Sequence, residues 1–210
     1  MNLGDRRLYL CTPDRPDLAD FLVACIRGGV DVVQLRDKVL DARPLIARAR
    51  VARGVCASHG VPFILNDRPD LALEVEADGV HVGQDDAAPA EARAVVGPDR
   101  IVGRSTHAPG QGAAAAADPD VDYLSIGPVH ATPTKPGRTP TGLEYVRWAA
   151  ANVRKPWFAI GGIDAVTIAS VVEAGASRVV VVRAITEAPD ALAAAAELRA
   201  SLEVVTGGRA

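Results

Sequence analysis

Short apolar segments rich in β-branched residues recur along the whole chain and alternate with longer segments of helical character. The apolar segments are RLYLC (7–11), VDVVQL (30–35), PFIL (62–65), DGVHV (78–82), RIVG (100–103), VDYLSI (121–126), PWFAI (156–160) and SRVVVV (177–182). Their length and composition are typical of buried strands.

The intervening segments predict helices. The clearest has apolar residues with the 3.6-residue period of a helix that buries one face. These residues are Leu18, Phe21, Leu22, Cys25 and Ile26, and Gly28–Gly29 then mark a C-terminal end. The alanine-rich stretches 113–117 and 191–197 also favour helix.

Eight strands, each followed by a helix, predict a parallel sheet with right-handed crossovers. We therefore predict the α/β class and a single-domain (β/α)₈ TIM barrel over residues 1–210, with residues from about 205 to 210 as a flexible tail. An open doubly wound sheet is the alternative, because periodicity does not show whether the sheet closes.

Composition and charge make some binding partners and some cellular locations less expected than others. Hydrophobic residues make up 49% of the chain, and a net charge of −3 is spread without a basic stripe, so we expect neither nucleic-acid nor membrane binding. There is no long apolar run and no secretory signal at the N-terminus, which favours a cytoplasmic protein. Cys11, Cys25 and Cys56 lack metal-binding spacing and are expected to be free thiols. Homo-oligomerisation is left open.

Polar residues follow the second predicted strand, at the barrel end where active sites form. Alternation along a strand points Gln34, Arg36 and Lys38 to the same side. Two cations and an amide suit an anion with several oxygens, such as a diphosphate. The alternative is a solvated strand end with salt bridges to Asp37 and Asp41.

Residues with side-chain oxygens follow the next two strands. Asn66 and Asp67 follow the third strand, and Asp85 and Asp86 follow the fourth. Neighbouring strands lie about 4.8 Å apart, so Asp67 and Asp86 can reach one cation. Oxygen ligands of this kind favour Mg²⁺ or Mn²⁺ over zinc. The alternative is N-capping of helices that begin near Pro69 and Pro89.

Two further segments carry candidate residues. Arg104-Ser105-Thr106-His107 follows the fifth strand and is expected to open a helix, with Ser105 as a cap or a ligand. The loop 127–142 is rich in proline and glycine and is a candidate lid, in which Thr132, Thr134 and Lys135 can surround a phosphate.

The last two strands end in Gly161-Gly162 and in Val182-Arg183. Barrels often bind phosphate at this corner, so a second phosphate site is expected here, although paired glycines can also form a simple tight turn. His130 has no assignable partner, and His81 is expected in the core or between sheet and helices.

Six motifs stand in one order along the chain and together resemble the thiamine phosphate synthase family. They are QLRDK, ILNDR, DGVHVGQDD, RSTH, DYLSIGPVHATPTKPG and AIGGI. The resemblance implies a transferase of thiamine biosynthesis that joins hydroxymethylpyrimidine diphosphate to thiazole phosphate and releases pyrophosphate, with one Mg²⁺ ion.

The resemblance also implies residue roles. The expected catalytic residues are Arg36, Lys38, Ser105 and Lys135, and the expected metal ligands are Asp67 and Asp86. The expected substrate-binding residues are Gln34, Leu35, Arg36, Asp37, Lys38, Asn66, Ser105, Thr132, Pro133, Thr134, Lys135, Gly162, Val182 and Arg183. The chain departs from the family pattern at Arg183, at Arg104 and at His130-Ala131.

Three alternatives share the same barrel. A thiazole tautomerase would use His107 for proton transfer and needs no metal. A phosphate-sugar isomerase would use only the corner after the last two strands. A barrel that binds thiamine precursors for regulation would bind ligand without releasing pyrophosphate.

Overall fold

All eight predicted strands are present, and each is followed along the chain by a helix. The structure is a computed structural model that describes residues 3–132, 137 and 139–204. Its strands are β1 (Leu8–Thr12), β2 (Val32–Leu35), β3 (Phe63–Asn66), β4 (Gly79–Val82), β5 (Ile101–Thr106), β6 (Tyr123–Ile126), β7 (Trp157–Ile160) and β8 (Val179–Val181). Its helices are α1 (Leu18–Arg27), α2 (Ala42–Ser58), α3 (Pro69–Glu74), α4 (Pro89–Val96), α5 (Pro109–Ala117), α6 (Gly142–Asn152), α7 (Ile168–Glu173), α8 (Arg183–Thr186) and α9 (Ala191–Val204).

The sheet closes on itself. Each strand pairs in parallel with the next, and β8 returns to pair with β1. Tyr9 of β1 accordingly has Val32 as its partner on one side and Val180 on the other. The predicted TIM barrel is confirmed, and the open doubly wound sheet is excluded.

The hydrophobic core has two parts because successive strand residues point to opposite faces. The larger part lies between the strands and the helices. The smaller part fills the barrel interior, where Tyr9, Tyr123 and Phe158 pack together. Phe158 meets both tyrosine rings nearly edge-on, at centroid distances of 5.3 and 5.7 Å.

The predicted helices are also present, with one difference in position. The apolar face of α1 is buried, and the alanine-rich stretches lie in α5 and α9. The segment Arg104–His107 was expected to open a helix, and that expectation is wrong: β5 continues to Thr106, and α5 begins only at Pro109. Ser105 is therefore a strand residue on the interior face of the barrel.

Two further predictions concern the C-terminal tail and the membrane. The predicted tail, residues 205–210, lies outside the described residues. Within the described ranges, no helix combines the length and the apolar character that crossing a membrane requires.

Candidate active site

Most of the residues predicted at the ends of β2 to β5 meet around one small cavity. Its volume is about 70 Å³, and its walls include Gln34, Arg36, Lys38, Asn66, Asp67, Asp86 and Ser105. Gln34, Asn66 and Ser105 are buried, whereas Lys38 is exposed. The cavity thus has neutral hydrogen-bonding groups at its base and charged groups toward solvent.

Two residues of the same predicted group lie elsewhere. Leu35 is buried among the core residues between the strands and the helices. Asp37 accepts hydrogen bonds from the N–H groups of Val39 and Leu40, both at 2.9 Å. Burial opposes ionisation of Asp37, but these and other backbone donors outweigh burial and lower the pKa of its carboxyl. Asp37 therefore shapes the loop after β2.

Asp67 and Asp86 form a coupled pair of carboxyl groups beside Lys38. Burial and the hydrogen bond between the two carboxyls raise the pKa of Asp67. Burial also disfavours the charged form of Asp86, but the hydrogen bonds from Asp67 and from the Gly83 N–H outweigh burial and lower its pKa. Lys38 Nζ lies 3.0 Å from Asp67 Oδ2 and neutralises part of the remaining charge. Because the charged form of one carboxyl disfavours that of the other, the pair marks a position suited to a cation.

Local backbone geometry directs both acids into the cavity. Asp67 has a φ of 62°, in the left-handed region that aspartate tolerates better than most residues. Its N–H donates to the His81 carbonyl at 2.8 Å, and Asp86 Oδ2 accepts from the Gly83 N–H at the same distance. Neither acid caps a helix, because α3 and α4 follow Arg68 and Ala88. The capping alternative is therefore not observed.

Arg104 supports the loop that carries Asp86. Its Nη1 donates to the Gly83 carbonyl at 2.6 Å and to the Ala87 carbonyl at 3.3 Å. These two carbonyls lie on either side of Asp86, so the guanidinium holds the loop closed around it. The departure from the family pattern at position 104 thus has a structural role outside the cavity.

Ser105 is hydrogen-bonded to His81, which the sequence placed within the fourth strand, in the core or between the sheet and the helices. His81 lies inside the barrel, with Nε2 at 2.9 Å from Ser105 Oγ and Nδ1 at 2.9 Å from Tyr123 Oη. The signal that could have found it is a polar residue on the same face of β4 as the cavity residues. Tyr9 and Tyr123, which also line the cavity, were missed for the same reason.

A second and larger cavity lies at the ends of β6 to β8. Its volume is about 690 Å³, and its walls include His107, His130, Thr132, Gly161, Gly162, Val182 and Arg183. Arg183 Nε donates to the Glu187 carboxylate at 3.0 and 3.1 Å. Pro133, Thr134 and Lys135, predicted to contact substrate, lie outside the described residues.

Two histidines contribute to the wall of this larger cavity. His107 Nδ1 lies 2.5 Å from the Gly127 carbonyl, a contact that orients the ring. His130 Nε2 is buried and has no hydrogen-bond partner among the described residues. His130 is therefore a candidate ligand for a substrate oxygen that the sequence left unassigned.

The two cavities share one wall. Ser125, Ile160, Val180 and Val182 line both of them. One side presents cations and acids suited to a diphosphate with a metal ion. The other side presents the Gly161-Gly162 turn and Arg183, which suit a phosphate. The two sides therefore differ in chemistry and adjoin at the shared wall.

Several known proteins similar to this chain belong to one family. The family model described as thiamine monophosphate synthase matches residues 8–185. The chain is 54% identical to the thiamine-phosphate synthase of Thermobifida fusca, covering 95% of this chain and 94% of the relative. It is also 54% identical to that of Thermus thermophilus, covering 93% and 97% respectively. Among solved structures, the thiamine phosphate pyrophosphorylase from Pyrococcus furiosus superposes with a TM-score of 0.86 at 30% identity, covering 95% of this chain and 96% of that one.

Proposed function

The chain belongs to the thiamine monophosphate synthase family, and we propose that the two adjoining cavities hold the two substrates of that reaction. The activity is that of a thiamine-phosphate synthase, a transferase that joins the pyrimidine diphosphate to the thiazole phosphate and releases pyrophosphate. The observation that carries the proposal is the wall of four residues that the cavities share, because the pyrimidine methylene carbon and the thiazole nitrogen must meet there.

The smaller cavity takes the pyrimidine diphosphate in this proposal. Arg36 and Lys38 face its mouth, where the diphosphate departs, and Gln34, Asn66 and Ser105 face the buried end. As the bond to the pyrimidine methylene lengthens, negative charge grows on the leaving group. Arg36 and Lys38 stabilise that charge, while burial of the other end excludes water from the carbon that becomes electron-poor.

Asp67 and Asp86 suit one Mg²⁺ ion. They are two hard oxygen ligands in contact with each other, and the described part of the chain holds no cluster of three or more potential metal-binding side chains around them. Mg²⁺ commonly uses one or two carboxylates and completes its shell with water and substrate phosphate. Such an ion supplies positive charge to the departing diphosphate.

The larger cavity takes the thiazole phosphate. Gly161 and Gly162 have φ values of 105° and 62°, a conformation that turns the chain tightly at the wall of this cavity. Arg183 adds a positive charge at the same corner, and His130 offers a ring nitrogen. The thiazole ring then extends toward the wall shared with the smaller cavity. Holding both rings in line supplies much of the rate enhancement.

The test is pyrophosphate release by the purified protein given both substrates, with Mg²⁺ and then with EDTA. We expect release that requires both substrates and the metal, with thiamine phosphate formed in equal amount. Release without thiamine phosphate would contradict the proposed substrate sites. Product formation unaffected by EDTA would contradict the proposed metal site.

Since Cys11, Cys25 and Cys56 are buried free thiols, we also propose a cytoplasmic location.

A further inference from the structure

Arg104 of β5 is a half-buried arginine whose guanidinium is bonded to backbone carbonyls. Its Nη1 donates to the Gly83 carbonyl at 2.6 Å and to the Ala87 carbonyl at 3.3 Å. Within the described ranges it forms no salt bridge with an acidic side chain. The hydrogen bonds of this cation are therefore directed at one short segment of backbone.

That segment is the connection between β4 and α4. Val82, the last residue of β4, pairs with Arg104 in the sheet, and residues 83–88 then lead to Pro89 at the start of α4. We name residues 83–88 the β4–α4 loop. Ser105, the next residue of β5, faces the barrel interior, so Arg104 lies on the outer face of the strand. Arg104 reaches the loop from outside and does not belong to the described wall of either cavity.

The β4–α4 loop determines where the Asp86 carboxylate lies. Asp86 Oδ2 accepts from the Gly83 N–H at 2.8 Å, and the Asp86 N–H donates to the Gly83 carbonyl over a long 3.4 Å. Arg104 bonds to residues on both sides of Asp86, which closes the turn. Gln84 Nε2 also donates to the Ser105 carbonyl at 2.6 Å. Side chains thus fasten the loop to β5 at two points, and the direction of the carboxylate is set before an ion arrives.

The charge of Arg104 and its hydrogen bonds have opposite effects on a cation at Asp86. The charge repels a metal ion, but the guanidinium is only half-buried, so solvent weakens the repulsion. The hydrogen bonds remove the entropy cost of ordering the loop when the ion binds. Groups that orient a metal ligand typically change metal affinity 10–100-fold. We therefore expect the ordering effect to exceed the repulsion.

We propose that Arg104 is a positioning residue for the metal site, which holds the β4–α4 loop closed so that Asp86 lies beside Asp67 before the ion binds. Arg104 thereby raises the affinity for Mg²⁺. The inference rests on the proposed function for the presence of the ion. Position 104 is one at which the chain departs from the family pattern, so this effect belongs to the present chain and is not a requirement of the reaction.

Metal affinity can be measured without substrates. Mn²⁺ favours the same oxygen ligands as Mg²⁺, and its binding to the purified protein is followed by electron paramagnetic resonance. We expect one bound ion in the wild type, its loss in Asp86→Asn, and a Kd about tenfold higher in Arg104→Met. Arg104→Lys should recover most of the affinity, because both bonds come from one nitrogen that an ammonium can replace. An unchanged or lower Kd in Arg104→Met would overturn the proposal.

Arg100→Met is the matched control. Arg100 is also half-buried, directly precedes β5 at the opposite end of the strand, and donates to the Ala77 carbonyl at 3.2 Å and to the Val96 carbonyl at 3.1 Å. Its removal breaks the same number of bonds to backbone, far from Asp86, and should leave the Kd for Mn²⁺ unchanged. An equal rise of the Kd in both methionine variants would refute the role of Arg104, since the loss would then reflect general loosening of the barrel.

Hydrogen exchange tests the loop without any metal. Followed by mass spectrometry, amide exchange over residues 83–88 should be faster in Arg104→Met than in the wild type and close to wild type in Arg104→Lys. Arg100→Met should leave exchange in this segment unchanged. Wild-type exchange in Arg104→Met would overturn the proposal, because the loop would then keep its shape without the guanidinium.

The outcomes separate this inference from the proposed function. Equal Mn²⁺ binding by the wild type and by Asp86→Asn would refute the proposed metal site. Loss of the ion in Asp86→Asn together with an unchanged Kd in Arg104→Met would refute the role of Arg104 and leave the metal site standing. A wild-type protein that binds no Mn²⁺ without substrate would also overturn the role of Arg104, since a site ordered in advance binds the ion alone; the EDTA test of pyrophosphate release then decides the metal site separately.

Discussion

Gly103 of β5 leaves the space that the buried Tyr123 ring occupies, and its replacement by alanine gives a sharp test. A Cβ built on Gly103 would lie 2.5 Å from Tyr123 Oη and closer still to two of its ring carbons. Tyr123 is fully buried and touches Tyr9, His81 and Phe158, so its ring can shift only by breaking these contacts and entering the smaller cavity. Only glycine fits at position 103, because any side chain there would overlap the Tyr123 ring.

The cost of Gly103→Ala follows from two terms. Overpacking a well-filled interior costs about 1–3 kcal/mol. Displacement of Tyr123 Oη also disrupts its bonds to Tyr9 and His81, and unsatisfied buried groups cost about 1–3 kcal/mol. We therefore expect the free energy of unfolding to fall by about 2–6 kcal/mol. The turnover of any folded protein should fall as well, because Tyr123 holds His81 in place and His81 holds Ser105 at the base of the smaller cavity.

The assay is urea unfolding followed by circular dichroism, with Gly54→Ala as the matched control. Gly54 lies exposed in α2, and a Cβ there would meet no atom within 4 Å. The same substitution should therefore raise the free energy of unfolding by about 0.5–1 kcal/mol, the helix-propensity difference between glycine and alanine. A double-mutant cycle with Tyr123→Leu isolates the clash, since Gly103→Ala should cost much less when the phenol is absent.

Wild-type stability in Gly103→Ala would refute the reasoning, because the ring would then have room that the structure does not show. An equal cost of Gly103→Ala with and without Tyr123 would also refute it, since the loss would then arise from the strand backbone.

Three further predictions concern the rim of the barrel and the buried thiols. Asp67→Asn and Lys135→Ala should each lower the rate of pyrophosphate release at least about tenfold, because groups that stabilise developing charge are typically worth a few kcal/mol; wild-type rates in both would contradict the site. Arg183→Ser should raise the KM for thiazole phosphate about tenfold through loss of a charged donor, and an unchanged KM would place the phosphate elsewhere. Burial raises the pKa of Cys25 and of Cys56 from 9.0 to about 12, so both stay protonated in the folded state where the unfolded chain loses its protons. Stability should therefore fall as pH rises from about 9 toward 12, by about 1.4 kcal/mol per pH unit for each thiol, and urea midpoints of Cys25→Ala and Cys56→Ala measured across this range should show a smaller decline.

Residues at the strand ends could be predicted from sequence because the barrel rule brings them together. Once eight strands were recognised, Arg36, Lys38, Asp67 and Asp86 had to meet at one face, and the structure places all four around one cavity. Leu35 and Asp37 were predicted to bind substrate because they belong to the QLRDK motif, as Arg36 and Lys38 do. Their side chains fall on the other face of the strand or in the following loop, which alternation alone would have indicated.

The barrel interior was harder to predict because its polar residues sit within apolar strands. His81 stands between two valines in β4, and Ser105 follows an apolar run that suggested an earlier strand end. Pairing with the neighbouring strand explains the position of Ser105, since β5 continues to Thr106 alongside β6. Gly103, a glycine in the middle of a strand, was the signal that a large side chain approaches the backbone closely.

The division of charge between the rim and the interior follows from solvation. At the mouth, Lys38 is exposed and Asp67 is half-buried, so charges there retain part of their hydration and can neutralise a diphosphate. Below them, an ion among the buried side chains of the barrel interior would lose its water and cost several kcal/mol. Neutral hydrogen-bonding groups avoid that cost, and the bond between His81 and Ser105 still fixes Ser105 at the base of the smaller cavity.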